Sequence, residues 1–330
     1  MQPAHLGLAF YFLFAFLSLL FTSPHPLLGF PKLLGVGELC VLAVITADLA
    51  SRPKSTTWIA NSIAVTSIIT AAAALAGLFL FYLGEPSPLI GIYGELEPSR
   101  WYARVQAGTY NPNLLASFCI FAAAIVSGKC AELPRWVRRG ALLGLWVTVL
   151  LTFSRGILGF VLAALIRNAT TPRRRAIAAI GAFAVIALTI AMTIWKPLIN
   201  PARPLEVRFE RVASSRKEGA LSALATIVRN PLFGSGLGTS PGEYRGAPFD
   251  SHCTPINIAG TIGLPALISF SFLIASLWRR RLRPIDLALW GGLAGLALDG
   301  LAQDIEDFRH LWVMIGLAGS SISLRTYKKE

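Results

Sequence analysis

Charge is what this chain has least of. Only 14% of its 330 residues are Asp, Glu, Lys or Arg, while 54% are apolar and the mean hydropathy is +0.60. An ordinary soluble domain carries about a quarter charged residues, so that class is excluded and a polytopic membrane protein is implied. Cysteine is scarce as well. Cys40, Cys119 and Cys130 fall in or beside apolar runs and Cys253 stands alone on a polar stretch, which excludes a disulfide framework. No two His or Cys residues sit at ligand spacing, so neither a metal centre nor another cofactor is expected. The start, Met-Gln-Pro-Ala-His, lacks the basic patch and small-residue cleavage pattern of a secretory signal, so the first apolar run is expected to stay as a helix.

What the chain has in quantity is long apolar runs. A bilayer core of about 30 Å takes about 20 helical residues. Runs of that kind lie near 5–22, 33–50, 57–83, 112–127, 137–153, 156–168, 175–196, 254–278, 285–302 and 309–324, which predicts an all-α protein of about ten spans in a single polytopic domain over 1–330. The net charge of +13 follows this topology. With the N-terminus cytoplasmic, the inner loops hold Arg52, Lys54, Lys129, Arg135, Arg138, Arg139, Arg167, Arg173 to Arg175, Arg279 to Arg281, Arg283, Arg325, Lys328 and Lys329. Set against Asp48, Glu132, Asp286 and Glu330, these account for the entire excess, and the outer side is neutral. That is the positive-inside pattern, with both termini cytoplasmic and no nucleic-acid partner.

The polar residues between the runs are the candidates for function. Glu38 and Asp48 are acids within the second run; Glu38 is expected to pair with a neighbouring helix, and Asp48 to reach the cytoplasmic interface. The first large outer loop, Gly84 to Tyr110, carries Arg100 and Arg104, and Asn111-Pro112-Asn113 has the residue types of a helix cap and first turn. Arginines beside a helix N-terminus fit a phosphate site and fit a well-capped interfacial helix equally. The stretch from Val137 to Asn168 is too long for one span and must fold back, the break falling at Thr152-Phe-Ser-Arg-Gly156. This leaves Arg155 at the outer interface, facing a polar cavity or reaching the headgroups.

A second outer loop, 197–253, alternates Arg with Glu. Ser215 and Glu218 have capping-box spacing, and Leu221, Leu224, Ile227 and Val228 share a face, so a short amphipathic helix is expected from about Arg216 to Arg229. Gly234, Gly236 and Gly238 then permit either a ligand or a plain turn close to the main chain. His252, next to Asp250 and directly before the eighth run, is the side chain best suited to move a proton near neutral pH. The last outer turn, Asp299 to His310, gathers Asp304, Glu306, Asp307, Arg309 and His310, for ion pairing or for a polar substrate.

Four stretches occur in an order that resembles the O-antigen ligase and O-antigen polymerase family. They are Arg104-Val-Gln-Ala-Gly-Thr-Tyr-Asn-Pro-Asn-Leu-Leu-Ala116, Thr152-Phe-Ser-Arg-Gly156, Arg216 with Asn230-Pro-Leu-Phe-Gly-Ser-Gly-Leu-Gly238, and His252 with Gly260 and Gly263, within about residues 100–280. The resemblance implies a metal-independent, inverting membrane glycosyltransferase of the GT-C type in a bacterial inner membrane, active on the extracytoplasmic face. Its donor would be a glycan on undecaprenyl diphosphate, and its acceptor a hydroxyl on a lipid- or saccharide-linked molecule. By the same resemblance Arg155 and Arg216, with Arg104, hold the diphosphate, and His252 is the base on the acceptor. The 197–253 loop would roof the cavity. Arg100, Asn113, Asp250, Asp304 and His310 are further candidates for sugar or acceptor contacts.

The chain departs from the family pattern in two places. Ala220 stands where a Trp often follows the loop arginine, and Cys253 follows the histidine where a small amide or hydroxyl residue is common. Both bear on acceptor geometry. Two other readings use the same residues: a peptidoglycan polymerase of the related SEDS group, for which Asp250 would be the acid, and a flippase or transporter of lipid-linked sugars. A transporter favours internal repeats, and none is evident here.

Overall fold

Proline opens half of the helices. Its missing N–H falls where a helix has no acceptor to offer, and its fixed φ suits the first turn. In the computed structural model, which describes residues 3–85, 87–93, 102–128, 133–194, 204–278 and 287–320, proline is the first residue of six helices. These are α1 (Pro3–Phe21), α2 (Pro26–Leu49), α3 (Pro53–Tyr82), α4 (Pro112–Ser127), α7 (Pro172–Ile194) and α8 (Pro204–Arg229). The others are α5 (Arg135–Leu151), α6 (Gly156–Asn168), α9 (Thr254–Thr261), α10 (Leu264–Trp278), α11 (Leu287–Asp299) and α12 (Arg309–Gly319). The protein is mostly helical, 73% helix with twelve helices among the described residues. Two short antiparallel hairpins qualify the expected all-α class: β1 (Ile90–Tyr93) with β2 (Tyr102–Val105), and β3 (Gly242–Tyr244) with β4 (Ala247–Phe249).

Among the described residues three helices are long and apolar enough to cross a membrane, Ala4–Phe21, Pro26–Leu49 and Lys54–Tyr82. Shorter apolar helices follow at Pro112–Ser127, Gly156–Asn168, Leu264–Leu277 and Leu287–Asp299. Large side chains such as Leu27, Phe30, Trp58, Ile69 and Phe79 lie exposed on the long helices, an arrangement that lipid tolerates and water does not. The chain divides into two compact units.

One unit holds α1, α2, α8, α9, α10, α12 and the β3–β4 hairpin. Its core is a cluster of Tyr11, Phe270 and Trp312, with ring centroids 5.7 to 6.2 Å apart. Here the eighth apolar run is broken into α9 and α10, correcting the single span expected from the sequence. Gly263 takes φ +108, and a Cβ there would stand 2.1 Å from the Leu232 carbonyl oxygen. The loop after α8 fills the break: Ser235 N–H donates to Gly260 O (2.8 Å), Gly236 N–H to Thr261 O (3.1 Å) and Leu264 N–H to Pro231 O (2.8 Å). The glycines of that loop are therefore met by the chain's own backbone. A Cβ on Gly236, for example, would lie 2.4 Å from Ser23 Cα.

Helix α8 is also longer than the short helix expected. It starts at Pro204, so Ser215 and Glu218 lie within it instead of capping it. Nothing between Leu205 and Arg229 breaks a helix except Gly219, and Gly219 is there for packing, since a Cβ would meet the Phe249 ring of β4 at 2.4 Å.

The other unit holds α3 to α7, α11 and the β1–β2 hairpin. Helices α6 and α11 approach through glycine, a Cβ on Gly159 reaching within 2.4 Å of Gly295 O and one on Gly295 within 2.4 Å of Gly159 O. Small residues at a helix crossing let backbones meet where lipid supplies no hydrophobic drive. The fold-back after α5 falls where expected. Thr152 Oγ1 donates to Val149 O (2.7 Å) and accepts from Ser154 N–H (3.2 Å), Phe153 turns through φ +47, and Ser154 Oγ receives Gly156 N–H (3.2 Å).

Candidate functional site

In the first unit the polar residues converge on two segments, 250–257 leading into α9 and the turn 300–308 before α12. Threonine makes the junction. Thr254 N–H donates to Gly300 O (2.7 Å), and its hydroxyl both donates to Gln303 O (3.1 Å) and accepts from Ile305 N–H (2.8 Å). A hydroxyl that both donates and accepts fixes one chain segment against the other in a single register. This register places His252 Nδ1 3.5 Å from Asp304 Oδ1, with both side chains about one-third exposed. His252 sits at φ +49, a conformation that strains a non-glycine residue, and its ring stands edge-on to Phe249 at 5.0 Å. The imidazole is thus held from two sides, by a carboxylate and by a ring.

Arg216, on α8, donates from Nη1 to Ala302 O in the same turn (2.8 Å). The turn is anchored to α2 as well. Lys32 pairs with Asp307, and Arg309 forks onto Glu38 at 2.9 and 3.3 Å, the helix pairing expected for Glu38. On the hairpin, Arg245 lies over the Tyr244 ring at 5.2 Å. Asp250 is half-buried on the strand exit, and His310, in the first turn of α12, has its ring 5.5 Å from that of Phe308.

Sequence reasoning gave no separate role to Glu306, yet it is the most buried acid of this cluster at 7% exposed. Its Oε1 accepts from Asn257 Nδ2 on α9, and its backbone oxygen accepts from Trp312 Nε1 (2.6 Å). Burial first, and then the negative charge of Asp304, push its carboxyl up to about 8. Burial likewise raises the Cys253 thiol, the reverse of what a reactive thiolate requires. The signal for Glu306 was its composition alone, one acid among several in a turn.

The second unit has its own polar cluster. Asn111 caps α4, its Oδ1 accepting from Asn113 N–H (2.9 Å), as the Asn-Pro pair predicts. Arg104, on β2 and 6% exposed, donates from Nε to Thr152 O (2.7 Å) and from Nη2 to Asn113 Oδ1 (2.9 Å). Those donors hold the fold-back against the α4 N-terminus, which is a structural use of an arginine expected to bind substrate. Arg155 is half-buried at the N-terminal end of α6. Asp299, buried at the end of α11, brings Oδ1 within 3.2 Å of where a Cβ on Gly156 would stand, so an acid sits at the positive end of α6. Arg100 lies outside the described residues. Among the described residues no cluster of three or more His, Cys, Asp or Glu could hold a metal ion.

No protein-family model and no curated protein matches this chain.

Proposed function

We propose that the chain is a ten-span membrane glycosyltransferase that moves a glycan from an undecaprenyl-diphosphate carrier to an acceptor hydroxyl on the extracytoplasmic face. The observation that carries this reading is the His252–Asp304 pair at 3.5 Å, with the imidazole in a strained backbone conformation. Strain of this kind persists where the surroundings over-determine it, as functional sites do. With Nδ1 turned to the carboxylate, Nε2 is the atom that takes the acceptor's proton, and Asp304 stabilises the imidazolium that forms. The acceptor oxygen then bonds to the anomeric carbon as the bond to the diphosphate breaks, and attack from the opposite face inverts that centre.

The departing diphosphate gathers negative charge. Arg216 and Arg155, with Arg104, are assigned to it by their resemblance to the ligase and polymerase family, since guanidinium groups meet phosphate oxygens two at a time. The Nε and Nη2 donors that Arg104 commits to Thr152 and Asn113 make it the weakest of the three.

The test is transfer in reconstituted membranes with purified undecaprenyl-diphosphate-linked glycan and candidate acceptors, EDTA present throughout. Activity in the wild type that is lost in His252→Ala, Arg216→Ala and Arg155→Ala, each still folded, is the expected result. Undiminished transfer in the variants removes the residue assignment. A folded wild type inert with every acceptor moves the reading to a transporter of lipid-linked sugars.

A further inference from the structure

Two buried polar atoms on facing elements of the first unit have no hydrogen-bond partner, Asn257 Oδ1 on α9 and Glu306 Oε2 in the turn before α12. They belong to side chains already joined by one hydrogen bond, from Asn257 Nδ2 to Glu306 Oε1. A carboxylate has only acceptors, so an ionised Glu306 leaves both atoms unsatisfied, which is expensive in a buried place. A protonated Glu306 has a donor on Oε2, and Asn257 Oδ1, on the amide already bonded to Oε1, is an open acceptor for it. The amide N–H then meets the acid carbonyl while the acid O–H meets the amide carbonyl, closing a reciprocal ring.

We propose that Glu306 is a positioning residue that stays protonated at neutral pH and forms a reciprocal acid–amide pair with Asn257, locking the turn that carries Asp304 onto the helix that follows His252. Burial and the charges of Asp304 and Asp307 favour the neutral form of Glu306 over the opposing pull of the Asn257 hydrogen bond, and the titratable groups around it are these. Asp304 and Asp307 come from its own turn, Cys253 from the start of α9, and Tyr11 from α1, beside Trp312 of α12. The nearby cations are committed elsewhere, Lys32 to Asp307 and Arg309 to Glu38. The consequence for transfer rests on the function proposed above; the protonation of Glu306 does not.

The test compares wild type with Glu306→Gln, whose amide keeps the shape and both hydrogen bonds without the titrating proton. In infrared difference spectra at neutral pH, wild type is expected to show the carbonyl stretch of a protonated carboxylic acid that E306Q lacks, and this band should fade as the pH passes about 8. Asn257→Leu should shift the band to that of an acid without a hydrogen bond on its carbonyl. Absence of the band, or its presence in E306Q, overturns the proposal. In the transfer assay, kcat of the wild type should fall above pH 8 with little change in KM, while E306Q holds its neutral-pH rate to higher pH. Equal pH profiles would remove the positioning role. If no acceptor supports transfer, the function reading fails and the infrared result still decides Glu306.

Discussion

At the scale of single residues, the sharpest predictions concern side chains that join segments far apart in sequence. Thr254→Val removes the hydroxyl shared by Gln303 and Ile305 and leaves both backbone groups buried. A loss of about 1–3 kcal/mol is expected, read as a lower unfolding temperature in detergent. Glu306 gives a pH dependence. Its carboxyl is held up to about 8 in the folded chain against an ordinary 4.5, so between these values the folded state binds the extra proton. Stability should therefore be highest below pH 4.5 as far as this group is concerned, and should fall as the pH rises through about 8, a slope that E306Q flattens. The residue types were legible in the sequence, since a histidine and a run of acids stand out in so apolar a chain. Their pairing was not, because 49 positions separate Asn257 from Glu306, and a similar stretch of chain hides His252 from Asp304. Contacts of that range depend on where the intervening helices turn.

At the scale of elements, glycine decides where helices stop and how near they come. Gly263→Ala puts a side chain on a positive-φ backbone and against the Leu232 carbonyl. The combined strain and overpacking should cost about 2–5 kcal/mol, which either lowers the unfolding temperature sharply or prevents folding. In the other unit, Gly295→Leu is expected to force α6 and α11 apart and to destabilise the chain more than the same change at Gly140, which has open space around it. The start of α4 was readable, because Asn111-Pro112 announces itself locally, whereas the proline starts of α2 and α8 were not read. The break between α9 and α10 was not. An apolar run with one glycine reads as a continuous span until the loop that hydrogen-bonds into the gap is in view. The same holds for α8, which starts at Pro204, ahead of the capping-box spacing of Ser215 and Glu218 that suggested a later start.

At the scale of the whole molecule, the proposed topology places the 197–253 stretch outside and the loop at Arg52 and Lys54 inside. In a chain whose own cysteines are replaced, Arg245→Cys should react with a membrane-impermeant maleimide in intact cells. Lys54→Cys should react only after permeabilisation, and labelling of it in intact cells would overturn the ten-span orientation.

By itself the sequence determined that the chain is helical and apolar enough for a membrane, because a shortage of charge and long apolar runs admit few other solutions. It also determined the fold-back at Thr152 to Gly156, since the run there exceeds one bilayer thickness. Tertiary structure alone decided the division into two units, the break at Gly263 and the meeting of His252, Asp304, Asn257 and Glu306 on two stitched segments. Local propensity acts over a turn or two of chain, whereas these features are set by which backbone groups find partners across the fold.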